Sequence, residues 1–369
     1  MILNEEQQLL KDSAKAFLSE SSPVSALRAM RDSGDDHMPE LWSKMSEMGW
    51  PGVVSPDAYS GLELGYGGAG VVLEEMGRTL ALSPFLSSAV VAASLINRLG
   101  SEQLKEKYLP AIASGELTAV LAADETGHFD LSRISTTATA SDSGYTLSGQ
   151  KRGVIDGHHA DLLLVVTSEG DALSVFAVEK STTGVSFETR LMVDSQRAAD
   201  ITLDNVTVNE NALLGTFGGA AEALEFTIDV AAACSAAEML GVAVETFERT
   251  VMYLKDREQF GSKIGTFQGL QHRAAQLFAE IEVSKSAVLA ALQALDTDSD
   301  KRSVLASMAK AKCSKVVQNA TEEGVQMHGG IGMTDEFDIG FFMKRAAVCR
   351  QSYGDYHFHA DRFAALRGY

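Results

Sequence analysis

Residues 257 to 273, REQFGSKIGTFQGLQHR, form a short break between two long helical patterns. The break combines Arg257 with a Phe-Gly turn and glutamines. An arginine beside a helix end suits a pyrophosphate, because its fork of donors and the free backbone N–H groups act together on one anion. A solvated helix hairpin is the alternative that composition alone permits. The stretch is therefore a candidate phosphate site within a helical region.

Residues 326 to 334, QMHGGIGMT, are a second candidate, in which three glycines follow a helical pattern. Glycines let a backbone approach a ligand closely, although a helix C-cap is the more common reason for one of them. The glycine spacing differs from GxGxxG and no strand pattern precedes it. This argues against a Rossmann site for a nicotinamide cofactor.

On either side of these stretches, the sequence pattern divides the chain into three segments. From Asn4 to about Glu116 the chain shows capping residues and amphipathic helical runs. From Leu117 to about Gly215 it shows short β-rich runs separated by Gly, Asp and Ser, which predict an antiparallel barrel or sandwich. Long helical patterns return from Ala220, with Leu277, Ile281, Val288, Leu292 and Leu295 on one face. This order predicts a β-domain between two helical domains, in the α+β class.

The bulk composition of the 369-residue chain narrows the function classes. A formal charge of −19 disfavours nucleic acid and anionic membrane surfaces as partners. The three cysteines lie far apart without CxxC spacing, so neither a disulfide framework nor a metal site is predicted. The first residues lack the pattern of a secretory signal, and no long uninterrupted apolar stretch predicts a membrane span. We expect a cytoplasmic protein.

Taken together and in this order, the motifs resemble those of the acyl-CoA dehydrogenase family across essentially the whole chain. The stretches that carry the resemblance are PDAYSGLELGYGGAGVVLEEMGR, LGSEQLKEKYLPAIASGE, the SGQK hairpin, REQFGSKIGTFQGLQHR and QMHGGIGMT. The resemblance implies an N-terminal helical domain (1–116), a middle antiparallel β-barrel (117–215) and a C-terminal four-helix bundle (216–369).

The resemblance also implies a function, which is α,β-desaturation of an acyl-CoA thioester with electrons passed through FAD to an electron-transfer flavoprotein. It implies a dimer or tetramer in which a second subunit completes each FAD site. Arg257 and Phe260 would contact the pyrophosphate and adenine side of FAD. From the neighbouring subunit, Gln326, Gly329, Gly330 and Gln268 would hold the adenosine or pyrophosphate.

The wall of the flavin ring departs from the family pattern. Where the family usually has Thr-Glu-Pro-Gly-Ala-Gly-Ser-Asp, this chain has ADETGHFD at residues 123 to 130, with Asp124 and Asp130 as the acids in a similar frame. Where the family usually has Trp-Ile-Thr, this chain has Gly153-Val154-Ile155. Fewer fixed donors would reach the flavin edge, so its binding or its potential should differ.

The residues at the two positions of the family's catalytic base depart further from the family pattern. The family removes the α-proton with a carboxylate, yet its usual glutamate position falls at Tyr353 and its other location falls at Ala231. Asp355, two residues beyond Tyr353, is the predicted base, with Asp229 as a weaker candidate. The alternative is that Asp355 caps the following helix. His357 and His359 are interpreted as structural or rim groups.

These departures leave more than one functional interpretation open. GQKRGVIDGHHAD and FFMKRAAVCRQSYGDYHFH are most similar to the small subunit of pimeloyl-CoA dehydrogenase and related members that work as unlike pairs. The chain could therefore be a half-site subunit that completes FAD binding for a larger homologous partner. A flavoprotein of the same fold with other chemistry is a further alternative.

Overall fold

The computed structural model describes residues 3–34, 39–141 and 144–369. It divides into two compact units. The described residues of Met1–Gly34, Gly70–Leu82 and Ala232–Tyr369 form a helical unit, and those of Asp35–Ala69 and Ser83–Ala231 form a mixed unit. Each unit combines segments that are separate in the sequence but close in space, whereas each of the three predicted domains is one continuous stretch of the chain.

Helices fill the chain ahead of the sheets, as predicted. Asn4 starts the first of them with a reciprocal cap, because Gln7 N–H donates to Asn4 Oδ1 (2.7 Å) and Asn4 N–H donates to Gln7 Oε1 (3.2 Å). A π-helical segment, Phe85–Ala92, leads directly into the fifth helix. The helices are α1 (Glu5–Ser21), α2 (Val24–Ser33), α3 (Pro39–Glu47), α4 (Gly65–Thr79), α5 (Ala93–Leu99) and α6 (Glu102–Ala113).

The mixed unit contains two four-stranded sheets. The strands are β1 (Ala119–Ala122), β2 (Thr137–Ser141), β3 (Gly144–Ile155), β4 (Leu162–Glu169), β5 (Ala172–Glu179), β6 (Val185–Leu191), β7 (Arg197–Val208) and β8 (Leu213–Leu214). One sheet has the order β1-β4-β5-β8 and the other has the order β2-β3-β7-β6. The strands of the described residues form no closed barrel, so the predicted barrel is not confirmed.

The antiparallel prediction also needs a correction at β1, which pairs parallel with β4. A parallel pair needs a long crossover, and here the crossover carries β2 and β3. β4 is buried on both faces. Leu162, Leu164 and Val166 face a core that includes α5 and α6, while Leu163 and Val165 face the core shared with β3 and β7. The sheet is thus a middle layer, with helices against one face and the second sheet against the other.

The C-terminal segment has three long helices and two short ones, where a four-helix bundle was predicted. They are α7 (Ala221–Asp256), α8 (Gln268–Asp296), α9 (Arg302–His328), α10 (Ile339–Gln351) and α11 (Tyr356–Leu366). A two-residue hairpin, β9 (Glu258–Gln259) and β10 (Ser262–Lys263), separates α7 from α8. By length and composition α7 could cross a membrane, but its apolar stretch is fully buried inside the protein.

Two contacts hold the helical unit together across long sequence separations. A Cβ added at Gly77 of α4 would lie 2.2 Å from Glu238 O of α7, and one at Gly241 would lie 1.9 Å from Glu74 O, so the two backbones touch. Near the chain ends, Arg31 of α2 donates two hydrogen bonds to Asp335 (2.6 and 2.8 Å) and Arg28 donates to Asp335 O (2.6 Å). These bonds fix the segment between α9 and α10.

Candidate functional site

Arg257 and Phe260 lie at the hairpin that ends α7. Phe260 and Gly261 connect β9 to β10 with φ angles of 53° and 77°, the pair of positive values that a type I′ turn requires. A phenylalanine in this region is strained, yet its ring is 91% exposed. The side chain of Arg257 is exposed and makes no hydrogen bond or ion pair within the described ranges. Two side chains suited to a ligand are therefore presented to the outside.

The glycine stretch lies at the end of α9. Gly329 has φ 66°, and a Cβ added at Gly329 or Gly330 would meet nothing within 4 Å. His328, the last residue of α9, stacks on Tyr253 near the end of α7, with ring centroids 4.4 Å apart. This stack brings the two predicted FAD-binding stretches to the same end of the helical unit. Gln326 and Gln268 are exposed there as well.

His328 was not singled out from the sequence, because a histidine before a Gly-Gly pair has no distinctive pattern. It is 3% exposed, and its Nδ1 lies 2.7 Å from Gly324 O, which makes Nδ1 the protonated nitrogen. Burial lowers the pKa of His328, so its Nε2 is a bare acceptor. Within the described chain this Nε2 has no hydrogen-bond partner. An orphaned buried acceptor beside open glycines fits a bound polar group such as a nucleotide.

The two stretches assigned to the flavin wall meet in the mixed unit. Arg152 N–H donates to Asp124 O (2.7 Å), which joins residues 123–130, here called the ring-wall segment, to β3. Lys151, fully buried, donates to Glu125 Oε1 (2.6 Å). The Glu125 carboxylate also accepts from the backbone and hydroxyl groups of Ser135 and Thr136. A buried ion pair therefore fixes the segment to the strand.

Electrostatics separate the two acids of this segment. Burial alone would raise the pKa of Glu125, but hydrogen bonds from Lys151, Ser135 and Thr136 lower it to about 2. Burial raises the pKa of Asp124 to about 6, with only a partial offset from the Lys151 charge. Asp124 Oδ1 is buried and has no partner among the described residues. The ionised form is thus stabilised at Glu125 and destabilised at Asp124.

Gly153 occupies the usual place of a tryptophan. Between Lys151 and Val154 the register of β3 shifts against β7, and Gly153 adopts φ 62°. Its N–H donates to Asp200 Oδ1 (3.0 Å), and a Cβ added there would meet nothing within 4 Å. The bulge leaves open space at the position where the family usually has a tryptophan. The loss of contacts to the flavin at this position stays a prediction.

The predicted base, Asp355, is the N-cap of α11. Its Oδ1 accepts from Phe358 N–H (2.9 Å), the contact that the capping alternative requires. Ala231 and Asp229 are buried on α7, with exposed fractions of 1% and 0%. None of these observations decides the role of Asp355 in proton transfer, which stays a prediction.

Tyr353 and Gly354 precede this cap in a left-handed turn, with φ angles of 56° and 97°. His359 Nε2 donates to Tyr353 O (2.9 Å), and His359 Nδ1 lies 3.4 Å from Ser307 Oγ, which in turn accepts from Arg362 Nη1 (3.0 Å). Because a carbonyl oxygen can only accept, His359 carries its proton on Nε2, and its Nδ1 accepts from the Ser307 hydroxyl. Burial, with the charges of Lys310 and Arg362, lowers the pKa of His359 to about 3. His359 is therefore a structural group, while His357 is exposed.

Comparison with known proteins agrees with this architecture. Models of the acyl-CoA dehydrogenase N-terminal, middle and C-terminal domains match residues 4–116, 119–206 and 218–364. A probable short/branched chain specific acyl-CoA dehydrogenase of Dictyostelium discoideum is 29% identical over 361 residues, which cover 94% of this chain and 86% of that protein. Acyl-CoA dehydrogenase FadE12 of Mycobacterium tuberculosis is 29% identical over 360 residues, 95% of this chain and 92% of that protein.

Among solved structures, the Tcur3481-Tcur3483 steroid ACAD (acyl-CoA dehydrogenase) is 30% identical. Its TM-score is 0.89, and the match covers 98% of both chains. The chain belongs to the acyl-CoA dehydrogenase family. It is accordingly an FAD-dependent oxidoreductase of the class that acts on CH–CH groups of acyl-CoA thioesters. The pimeloyl-CoA type of the family is not singled out and stays a prediction.

Proposed function

We propose that this chain carries out acyl-CoA dehydrogenation as one of two unlike subunits, with the α-proton base supplied by a larger homologous partner. The observation that carries the proposal is the surroundings of residues 353–359. Asp355 is engaged as a helix cap, and the two family positions for the base hold Tyr353 and Ala231. A carboxylate positioned to remove a proton is therefore missing from the places where the family has one.

The exposed residues at the end of the helical unit support the proposal that two subunits share the cofactor. The ring of Phe260 is 91% exposed, and Arg257, Gln326, Gly329 and Gly330 are exposed with it. Burying the ring of Phe260 against a ligand or partner would remove its apolar surface from water and is therefore favourable. The solved relative at 30% identity bears two protein designations, Tcur3481 and Tcur3483. A two-chain assembly is thus a reasonable form for this protein.

Within such an assembly the described residues divide the work. Arg257 and the glycines after His328 would bind the pyrophosphate of FAD, since a guanidinium and open backbone N–H groups both favour an anion. The Glu125–Lys151 pair would hold the ring-wall segment in place. FAD supplies the acceptor for the β-hydride when bound, and we expect its electrons to pass to an electron-transfer flavoprotein.

The experiment is to purify the full chain and record its visible spectrum during anaerobic addition of a panel of acyl-CoA thioesters. We expect either a colourless protein or a yellow one whose flavin absorbance does not bleach. Bleaching should begin after a larger homologous subunit is added. Bleaching of the chain by itself would contradict the proposal and favour a homodimer or homotetramer that acts alone.

Asp355→Asn separates the two interpretations at the residue level. Asparagine also caps helices well but cannot act as a carboxylate base. We therefore expect the assembled enzyme to keep its turnover in Asp355→Asn. Loss of turnover with an unchanged melting temperature would instead identify Asp355 as the base.

A further inference from the structure

Unlike Glu125 and Asp130, Asp124 has a side chain to which no described residue donates a hydrogen bond. Its backbone O accepts from Arg152 N–H (2.7 Å), which fixes the main chain beside the bulge of β3. Its Oδ1 is buried, and no donor within the described chain reaches that atom. Leaving a buried carboxyl oxygen without a donor is unfavourable, because the oxygen has lost its hydrogen bonds to water and gained none from the protein. Such an atom needs either a proton or a donor from outside the chain.

The charged groups that surround Asp124 do not satisfy it. Lys151 of β3 gives its closest hydrogen bond to Glu125 (2.6 Å) and lies 3.5 Å from Ala123 O. Glu125 is the neighbouring acid of the same segment, and its oxygens are occupied by Lys151, Ser135 and Thr136. Arg152 contributes only its backbone N–H. Among the described residues, Lys151 is the cation whose charge acts on Asp124, and its closest hydrogen bond goes to Glu125.

A flavin ring has the complementary chemistry. Its polar edge carries an N–H donor and carbonyl acceptors, so a carboxyl group can pair with it as an anion or as an acid. A Cβ added at Gly153 would meet nothing within 4 Å, and the preceding residue, Arg152, donates its N–H to Asp124 O. One backbone hydrogen bond therefore ties the segment of the orphaned acid to the residue that precedes this open position.

We propose that Asp124 contacts the polar edge of the flavin ring and takes up one proton from solvent when the flavin gains two electrons. The inference rests on the proposed FAD site. Reduction adds negative charge to the ring, and a like charge disfavours the ionised form of a neighbouring carboxyl group. The proton goes to the carboxylate of Asp124, and no bond of the protein is broken.

The decisive measurement is the flavin midpoint potential between pH 5 and pH 8, in the full chain loaded with FAD, alone or with the partner subunit. The pKa of Asp124 is raised to about 6, so the extra proton should be taken up above that pH. We expect the wild type to show an additional tenfold change in the reduction equilibrium per pH unit, about 30 mV for a two-electron couple. Asp124→Asn and Asp124→Ser should both lose it.

Asp171→Asn is the matched control. Asp171 is an exposed acid in the turn between β4 and β5, outside the residues assigned to FAD. This variant should keep the wild-type pH slope. A second readout is the infrared difference spectrum of reduced minus oxidised protein at pH 7. It should show a new protonated carboxyl band that Asp124→Asn lacks.

The outcomes separate this inference from the proposed function. An FAD-loaded Asp124→Asn variant with the wild-type slope and the same infrared band overturns the role of Asp124 and leaves the FAD site intact. A wild-type chain that binds no FAD, even with the partner subunit, overturns both.

Discussion

Two turns in the helical unit have similar backbones and opposite surroundings. Phe260-Gly261 and Tyr353-Gly354 each place two successive residues at positive φ. In the first turn the ring of Phe260 is 91% exposed. In the second, His359 ties Tyr353 O to Ser307, and Asp355 caps the next helix. Both turns thus have positive φ angles, but only the second is held by hydrogen bonds from neighbouring side chains.

The difference between the two turns shows how residues at positive φ can be interpreted. A left-handed residue costs energy that the surrounding structure must repay, and such residues cluster at functional sites. At the hairpin the side chains are left for a ligand or a partner subunit. At the second turn the polar groups are satisfied from within, and the carboxylate of Asp355 caps α11. We propose that this turn is the place where the family holds its catalytic base, a place that Tyr353 takes in this chain.

The largest expected effect comes from restoring that base. In the FAD-loaded chain, Tyr353→Glu should allow an acyl-CoA to reduce the flavin, because a positioned general base contributes about 10²–10⁴-fold to proton transfer. The measurement is the rate of anaerobic bleaching in a stopped-flow instrument. Tyr353→Gln, which has similar size without the charge, is the control and should stay inactive. Equal rates for the two variants would show that residue 353 does not face the substrate.

A smaller effect is expected at the hairpin, where we propose that Arg257 binds FAD. Arg257→Gln should raise the dissociation constant of FAD roughly 10- to 100-fold, because a charged hydrogen bond is worth about 1.5–3 kcal/mol. Titration of the apoprotein with FAD, followed by flavin fluorescence, measures it. Lys263→Gln removes the same charge from a residue already paired with Glu258 (2.9 Å) and should change the affinity little. A similar loss in both variants would indicate only a general charge effect.

The smallest effect concerns the stability of the second turn. The folded pKa of His359 is lowered from 6.5 to about 3, so the unfolded chain binds a proton that the folded chain refuses. Its contribution is full above pH 6.5 and falls as the pH drops towards 3, by about 1.4 kcal/mol per pH unit. Between pH 6.5 and 5 the unfolding free energy should therefore fall by about 2 kcal/mol.

Urea denaturation at several pH values measures this slope. His359→Gln should flatten it, and the exposed neighbour variant His357→Gln should leave it unchanged. An unaltered slope in His359→Gln would mean that His359 does not carry the pH dependence of the turn.

The sequence predicted much of the architecture because helical periodicity and short β-rich runs are local signals. The helices before and after the sheets were recovered in this way. The parallel pairing of β1 with β4 was missed, since it depends on a crossover that no local pattern reports. The LLLVV run of β4 was the available signal, because continuous apolar strands are typical of burial on both faces.

The candidate site was predicted unevenly for a related reason. Arg257 and the glycines after His328 carry distinctive residue types in distinctive order, so the resemblance exposed them. The orphaned Nε2 of His328 and the orphaned oxygen of Asp124 depend on what fails to reach them in three dimensions. Similarly, Asp355 was assigned both as a base and as a cap from the sequence, and its bond to Phe358 is visible only in the fold.

The bonds from Arg31 and Arg28 to Asp335 have a consequence for biosynthesis. The helical unit needs residues from both ends of the chain, whereas the mixed unit is complete at Ala231. During translation we expect the sheets to acquire their core first, while α2 waits for Asp335 and Phe341, which emerge late. We therefore expect nascent chains stalled before Asp335 to leave α2 without these partners and to bind chaperones.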